Sequence, residues 1–188
     1  MVLRVHPGLP LLALGRLLDD GEAQAVMARL CAEVPWSDGS NVAAGRRFSL
    51  PRRQAWFADP GVDYRYAANL LNSHPWTPLL QALKSRVENA SGHRFNAVLA
   101  NLYPDGQASV GWHADDEPGL GPTPVIASVN LGAERRFSLR AQGFSSVCTS
   151  ELNAPQASPP REYEYEPSDS LVSVKSCRVW ANRPSTIL

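Results

Sequence analysis

The stretch GHRFNAVLANLYPDG, residues 92–106, decides the fold. From Phe95 to Tyr103 its apolar residues follow a period of two, the signature of a strand, and Pro104-Asp105-Gly106 turns the chain. Ser109 to Asp115 then reads as the returning strand. A loop at Gly119–Thr123 leads to further strands at Pro124–Leu131 and Arg135–Arg140. Upstream the period is helical. Thr77 is placed to cap a helix that has Pro78 at its first position, an apolar stripe of Leu79, Leu80, Leu83 and Val87, and Gly92 as its left-handed stop. Residues 19–34 predict an earlier helix, capped by Asp19 or Asp20, with Ala23, Val26, Met27, Leu30 and Cys31 on one face. Between the helices, the polar residues 37–55 read as loops and short strands. Two helices followed by short antiparallel strands predict an α+β fold, with helices backing a β-sandwich.

The C-terminal 48 residues, 141–188, change character. Ser, Pro and Glu dominate 141–167, and strands are suggested only at Tyr163–Glu166 and Ser170–Val174. The chain therefore divides into a core over 1–140 and a divergent segment over 141–188.

Composition narrows the function. With 188 residues, 18 basic and 18 acidic, the formal net charge is zero, which argues against a polycation that coats nucleic acid by charge alone. Hydrophobic residues, at 44%, supply an ordinary core. The odd, widely spaced cysteines, Cys31, Cys148 and Cys177, give no disulfide framework and point to a reducing compartment. No apolar run is long enough to span a membrane, and the short Leu9–Leu14 stretch does not make a secretory signal. A nuclear or cytoplasmic monomer with no membrane partner is expected. Arginines without acids in 1–18 leave an organellar address open.

The densest polar cluster is Trp112-His113-Ala114-Asp115-Asp116-Glu117. On a strand, His113 and Asp115 point to the same face and supply two members of a 2-His-1-carboxylate iron triad. A lone His-x-Asp also fits a surface turn with a satisfied histidine, and the acidic run also fits a solvated face. Asn101 and Tyr103 share a face one strand earlier, where an amide and a phenol suit a small carboxylate co-substrate. Ordinary strand residues with satisfied polar tips fit them equally.

Taken together, Asn101-Leu102-Tyr103, Gly111 to Pro118 and Pro124 to Ala133 resemble the core of the AlkB-type Fe(II)/2-oxoglutarate dioxygenases. Pro51 to Phe57, Tyr64-Arg65-Tyr66 and Gly92 to Asn96 extend the resemblance over roughly residues 30–140. It implies a distorted double-stranded β-helix, or jelly-roll, with N-terminal helices packed on the sheet. It also implies oxidative dealkylation of N-alkylated bases in DNA or RNA, with Fe(II) as cofactor and 2-oxoglutarate as co-substrate. By the same resemblance His113 and Asp115 are metal ligands and catalytic, and Asn101 and Tyr103 contact 2-oxoglutarate. Asp116, supported by Glu117, reads the damaged base, on which Tyr66 stacks. Arg46, Arg47, Arg52 and Arg53 touch phosphates or are solvated loop charges.

The family places a second histidine beyond a late strand that Asp169–Val174 resembles, followed by an arginine pair. Here residues 180–184 read Trp-Ala-Asn-Arg-Pro, and the histidines, His6, His74, His93 and His113, all lie at or before the first ligand. No third ligand is found. A catalytically inactive family member that binds nucleic acid is the alternative reading.

Overall fold

The computed structural model describes residues 4–5, 12–43, 46–62, 65–66, 69–70, 72–111, 113–115, 118–121, 124–133, 135–139, 148–152 and 171–177. In chain order the elements begin with β1 (Arg4–Val5), β2 (Leu12–Ala13), α1 (Asp20–Glu33), β3 (Ser37–Ala43) and β4 (Arg46–Ala58). They continue with β5 (Arg65–Tyr66), β6 (Asn69–Leu70), β7 (Ser73–His74), α2 (Pro78–Ser91) and β8 (Ala97–Tyr103). A 3₁₀ turn at Pro118–Leu120 precedes β9 (Ile126–Gly132), β10 (Arg135–Leu139), β11 (Cys148–Leu152) and β12 (Leu171–Cys177).

Both helices begin as their sequences dictate. The Asp19 carboxylate accepts from the Glu22 amide at 2.8 Å and the Glu22 carboxylate accepts from the Asp19 amide, a reciprocal cap that starts α1. Pro35 follows its end. Thr77 caps α2 by accepting from the Leu80 amide, and Gly92, at φ +73°, reverses the chain at the other end. Leu79, Leu80, Leu83 and Val87 are buried as expected. Ala23, Val26, Met27 and Leu30 also face the core, whereas Cys31 is exposed. Arg86 of α2 and Glu22 of α1 pair at 2.7 Å and tie the helices together. The buried Glu88 accepts from the Phe95 amide at 2.9 Å and from Arg94 at 2.8 Å, which fixes the entry into β8.

The principal sheet runs β3-β4-β8-β12-β9, all neighbours antiparallel, with β7 pairing parallel to β4. With the helices it makes an α+β fold. Two expectations are corrected here. Residues 37–55 are not loops and short strands, since β3 and the thirteen-residue β4 form a hairpin. Arginine pairs obscure the two-residue period there. Ser109–Asp115 forms no returning strand among the described residues. Both edges of β8 are already occupied, by β4 and by β12, and after the Asp105 turn the chain runs on irregularly. The strand suggested at Ser170–Val174 is present as Leu171–Cys177, and it lies between β8 and β9 in the core sheet. The strand suggested at Tyr163–Glu166 lies outside the described residues.

Alternation gives this sheet two unlike faces. One presents Ala55, Phe57, Val98 and Leu131 to both helices in the main core cluster with Leu30, Leu80 and Leu83. The other carries a smaller cluster of Trp56, Ala58, Val62, Ala97 and Leu120. Toward one end of this second face the residues become polar.

Candidate functional site

Arg52, Gln54 and Trp56 occupy alternate positions of β4 and so share the second face. Gln54 stands directly opposite Asn101 of β8, which in turn stands opposite Ser173 of β12, and Ser173 opposite Asn130 of β9. A row of polar positions thus crosses four strands in register. Arg52, Gln54 and Asn101 are all buried. Arg52 Nε donates to Asn101 Oδ1 at 2.9 Å, while Gln54 Oε1 is buried without a donor. Buried polar groups are normally satisfied, so an orphaned oxygen two residues along the strand from a buried arginine marks a place where folding alone does not explain the sequence.

His113 and Asp115 lie on irregular chain rather than a strand, yet their side chains converge. His113 Nδ1 is 2.9 Å from the Gly111 carbonyl oxygen. A carbonyl only accepts, so Nδ1 carries the proton, and in the neutral imidazole Nε2 holds the lone pair. That nitrogen lies 3.6 Å from Asp115 Oδ1. Two acceptor atoms facing each other repel unless a proton or cation lies between them. At ligand distances of about 2.0–2.2 Å both atoms reach a single metal ion. The backbone bond on the other ring nitrogen is the outer contact that orients a ligating histidine. Both side chains remain partly exposed, leaving room for further ligands. The donor chemistry fits a metal at two positions. Among the described residues no group of three His, Cys, Asp or Glu side chains comes together to complete a set. His74 packs its ring against Phe57 at 5.5 Å, and His93 is exposed after α2.

The remaining expected residues scatter. Tyr103 is half-buried at the end of β8, two residues from Asn101. Tyr66 lies on β5, opposite Asn69 of β6. Trp112, Asp116 and Glu117 lie outside the described residues. Arg52 and Arg53, read together as solvated or phosphate-facing loop charges, are split between opposite faces of β4. Arg52 is buried against Asn101, which corrects the solvated-loop reading for it. Arg53 stays exposed, 3.4 Å from Asp38 and donating to the Trp36 carbonyl. Gln54 was missed altogether. The alternation of Arg52, Gln54 and Trp56 against Arg53, Ala55 and Phe57 was the signal that held it.

Comparison with known proteins agrees with this chemistry. The family model described as the 2OG-Fe(II) oxygenase superfamily matches residues 11–177. The chain is similar to alpha-ketoglutarate-dependent dioxygenase alkB homolog 3 of Rattus norvegicus, 42% identical over 124 residues, covering 65% of this chain and 41% of that protein. The Homo sapiens counterpart is 40% identical over 124 residues, covering 65% of this chain and 43% of the relative. DNA oxidative demethylase ALKBH2 of Mus musculus is 38% identical over 127 residues, covering 66% of this chain and 53% of the relative. The chain thus spans only about half, or less, of the length of these curated relatives. The family match runs from before α1 to the end of β12, taking in the Arg52–Asn101 pair and the His113–Asp115 pair alike. On that span the chain belongs to the 2OG-Fe(II) oxygenase superfamily and is of the AlkB type, a family that works with Fe(II) and 2-oxoglutarate.

Proposed function

We propose that this protein oxidatively dealkylates N-alkylated bases in DNA or RNA, using Fe(II), O2 and 2-oxoglutarate. The observation that carries the reading is the convergence of His113 Nε2 and Asp115 Oδ1 at 3.6 Å, with the opposite ring nitrogen committed to a backbone carbonyl. In this reading the two residues hold the metal. Bound iron supplies O2 activation coupled to decarboxylation of 2-oxoglutarate, so that the N-alkyl carbon is hydroxylated and leaves as an aldehyde. The Gly111 carbonyl keeps Nδ1 protonated and Nε2 directed at the metal. Asn101 and Tyr103 bind the co-substrate. Tyr66 stacks on the extruded base, Asp116, supported by Glu117, reads it, and the exposed Arg53 exchanges its Asp38 partner for a phosphate.

The same reading completes the sheet as a distorted jelly-roll, of which 1–140 forms the main body and 141–188 a divergent remainder that still supplies β12. The protein works on nucleic acid as a monomer in the nucleus or cytoplasm. The relatives' names, dioxygenase and demethylase, support an enzyme over an inactive binder. The test is turnover of an oligonucleotide carrying N-methylated adenine or cytosine. Formaldehyde and succinate release should require Fe(II) and vanish in His113→Ala; turnover that survives the substitution contradicts the ligand assignment.

A further inference from the structure

The cluster on β4 and β8 carries a consequence for how the co-substrate is recognised. Arginine has five N–H donors and no acceptor. The Asn101 side-chain atom 2.9 Å from Arg52 Nε must therefore be the oxygen, and the amide cannot turn over without setting N–H against N–H. The Nδ2 group is then directed away from Arg52 and is available only as a donor. Arg52 is 6% exposed, and among the described residues no carboxylate pairs with it. A guanidinium held from water by one neutral acceptor is under-compensated. Gln54, opposite Asn101, leaves its own Oε1 without a donor, so it does not neutralise the charge. Among the described residues the cluster therefore carries one net positive charge together with an amide whose outward group can only donate. Such an arrangement complements an anion and disfavours a cation or a neutral donor.

We infer that Arg52 is a positioning residue for the co-substrate: by fixing Asn101 Oδ1 it presents Asn101 Nδ2 as a donor to a carboxylate, and its buried charge favours entry of that carboxylate. This rests on the proposed reading of Asn101 as a 2-oxoglutarate contact. It goes beyond that reading by giving β4 a part in ligand selection. The two halves make a checkable distinction. A purely structural arginine would change stability and leave ligand affinity untouched in the folded protein. A positioning arginine changes affinity in the folded protein and depends on its donor-only character.

Titration of 2-oxoglutarate into the full chain with manganese(II), followed by calorimetry below the melting temperature, tests this. Arg52→Gln offers Asn101 a partner that can donate or accept, freeing the amide to flip. It should weaken 2-oxoglutarate by about 10-fold or more, the scale of one charge-assisted hydrogen bond. Arg52→Lys keeps a cationic donor without an acceptor and should restore a large part of the affinity. Asn101→Asp gives Arg52 a charged partner, so it should fold, yet it sets a negative charge against the ligand and should abolish binding. Side-chain amide NMR adds a readout independent of affinity. The Asn101 Nδ2 protons should shift on adding 2-oxoglutarate to the wild type and not in Arg52→Gln. Wild-type affinity in folded Arg52→Gln overturns the inference and leaves the proposed function standing. Wild-type affinity in Asn101→Asp, or no 2-oxoglutarate binding by the wild type, overturns the reading of the site and the inference with it.

Discussion

The two faces of the central sheet are made by the same strands from alternate residues, and they follow different rules. On the helix side, Ala55, Phe57, Val98 and Leu131 are buried among leucines, and the buried Glu88 carboxylate is satisfied by the Phe95 amide and Arg94. On the opposite face, one residue out of step, Arg52, Gln54 and Asn101 are equally buried. There a single 2.9 Å hydrogen bond holds two of them, and the third retains an unpaired oxygen. Burying polar groups this way costs stability that the helix-side face must offset. One face is built for packing, and on the proposed reading the polar end of the other is built for a ligand.

That contrast makes predictions with opposite signs. The largest effect is expected from Phe57→Ala, which empties a position only 1% exposed on the helix side. Chemical denaturation should show a loss of about 3–5 kcal/mol. A loss under 1 kcal/mol would mean the helix-side face does not carry the fold. Glu88→Gln tests how that half is fastened to β8. Burial raises the Glu88 pKa, but the Phe95 amide and the Arg94 guanidinium outweigh it and hold the carboxyl below its usual range. A depressed folded pKa stabilises the protein above the unfolded value of about 4.3, and the contribution disappears as the pH falls through the folded value. The wild type should therefore exceed Glu88→Gln by about 1–3 kcal/mol at neutral pH. The gap should close in acid below the ordinary carboxylate range; a gap independent of pH would show that charge is not what fastens the strand. The smallest effect has the reverse sign. Gln54→Met removes an orphaned buried oxygen at similar volume, and thermal melts should show stability unchanged or raised by about 0.5–1 kcal/mol. A clear loss would place Gln54 with the structural residues and dissolve the contrast.

Much of the helical half was legible because its signals are local. Asp19, Thr77 and Gly92 each act within a few residues of the chain they start or stop, so both helices followed from sequence alone. The sheet was harder. Arg46, Arg47, Arg52 and Arg53 made β4 look like solvated loop, because a buried arginine is rare enough that charge ordinarily signals exposure. The place of β12 is a non-local pairing, and no local pattern says that Leu171–Cys177 takes the β8 edge that Ser109–Asp115 was expected to occupy. The nearness of His113 and Asp115 does not depend on the strand that the sequence suggested for them. Residues two apart stay within side-chain reach on a strand and can do so on irregular chain, and here Nε2 and Oδ1 lie 3.6 Å apart without a strand. The Arg52–Asn101 contact joins residues 49 positions apart, and it needed the observed register.

The central claim is that His113 and Asp115 together hold one divalent cation. Titrating manganese(II) into the wild type, His113→Ala and Asp115→Ala tests it most directly, by the loss of the free-ion electron paramagnetic resonance signal. The account predicts one wild-type site that either substitution weakens by about 10-fold or more, the scale expected when a ligand is lost from a small donor set. Equal manganese(II) binding by all three proteins, or none by the wild type, would contradict it.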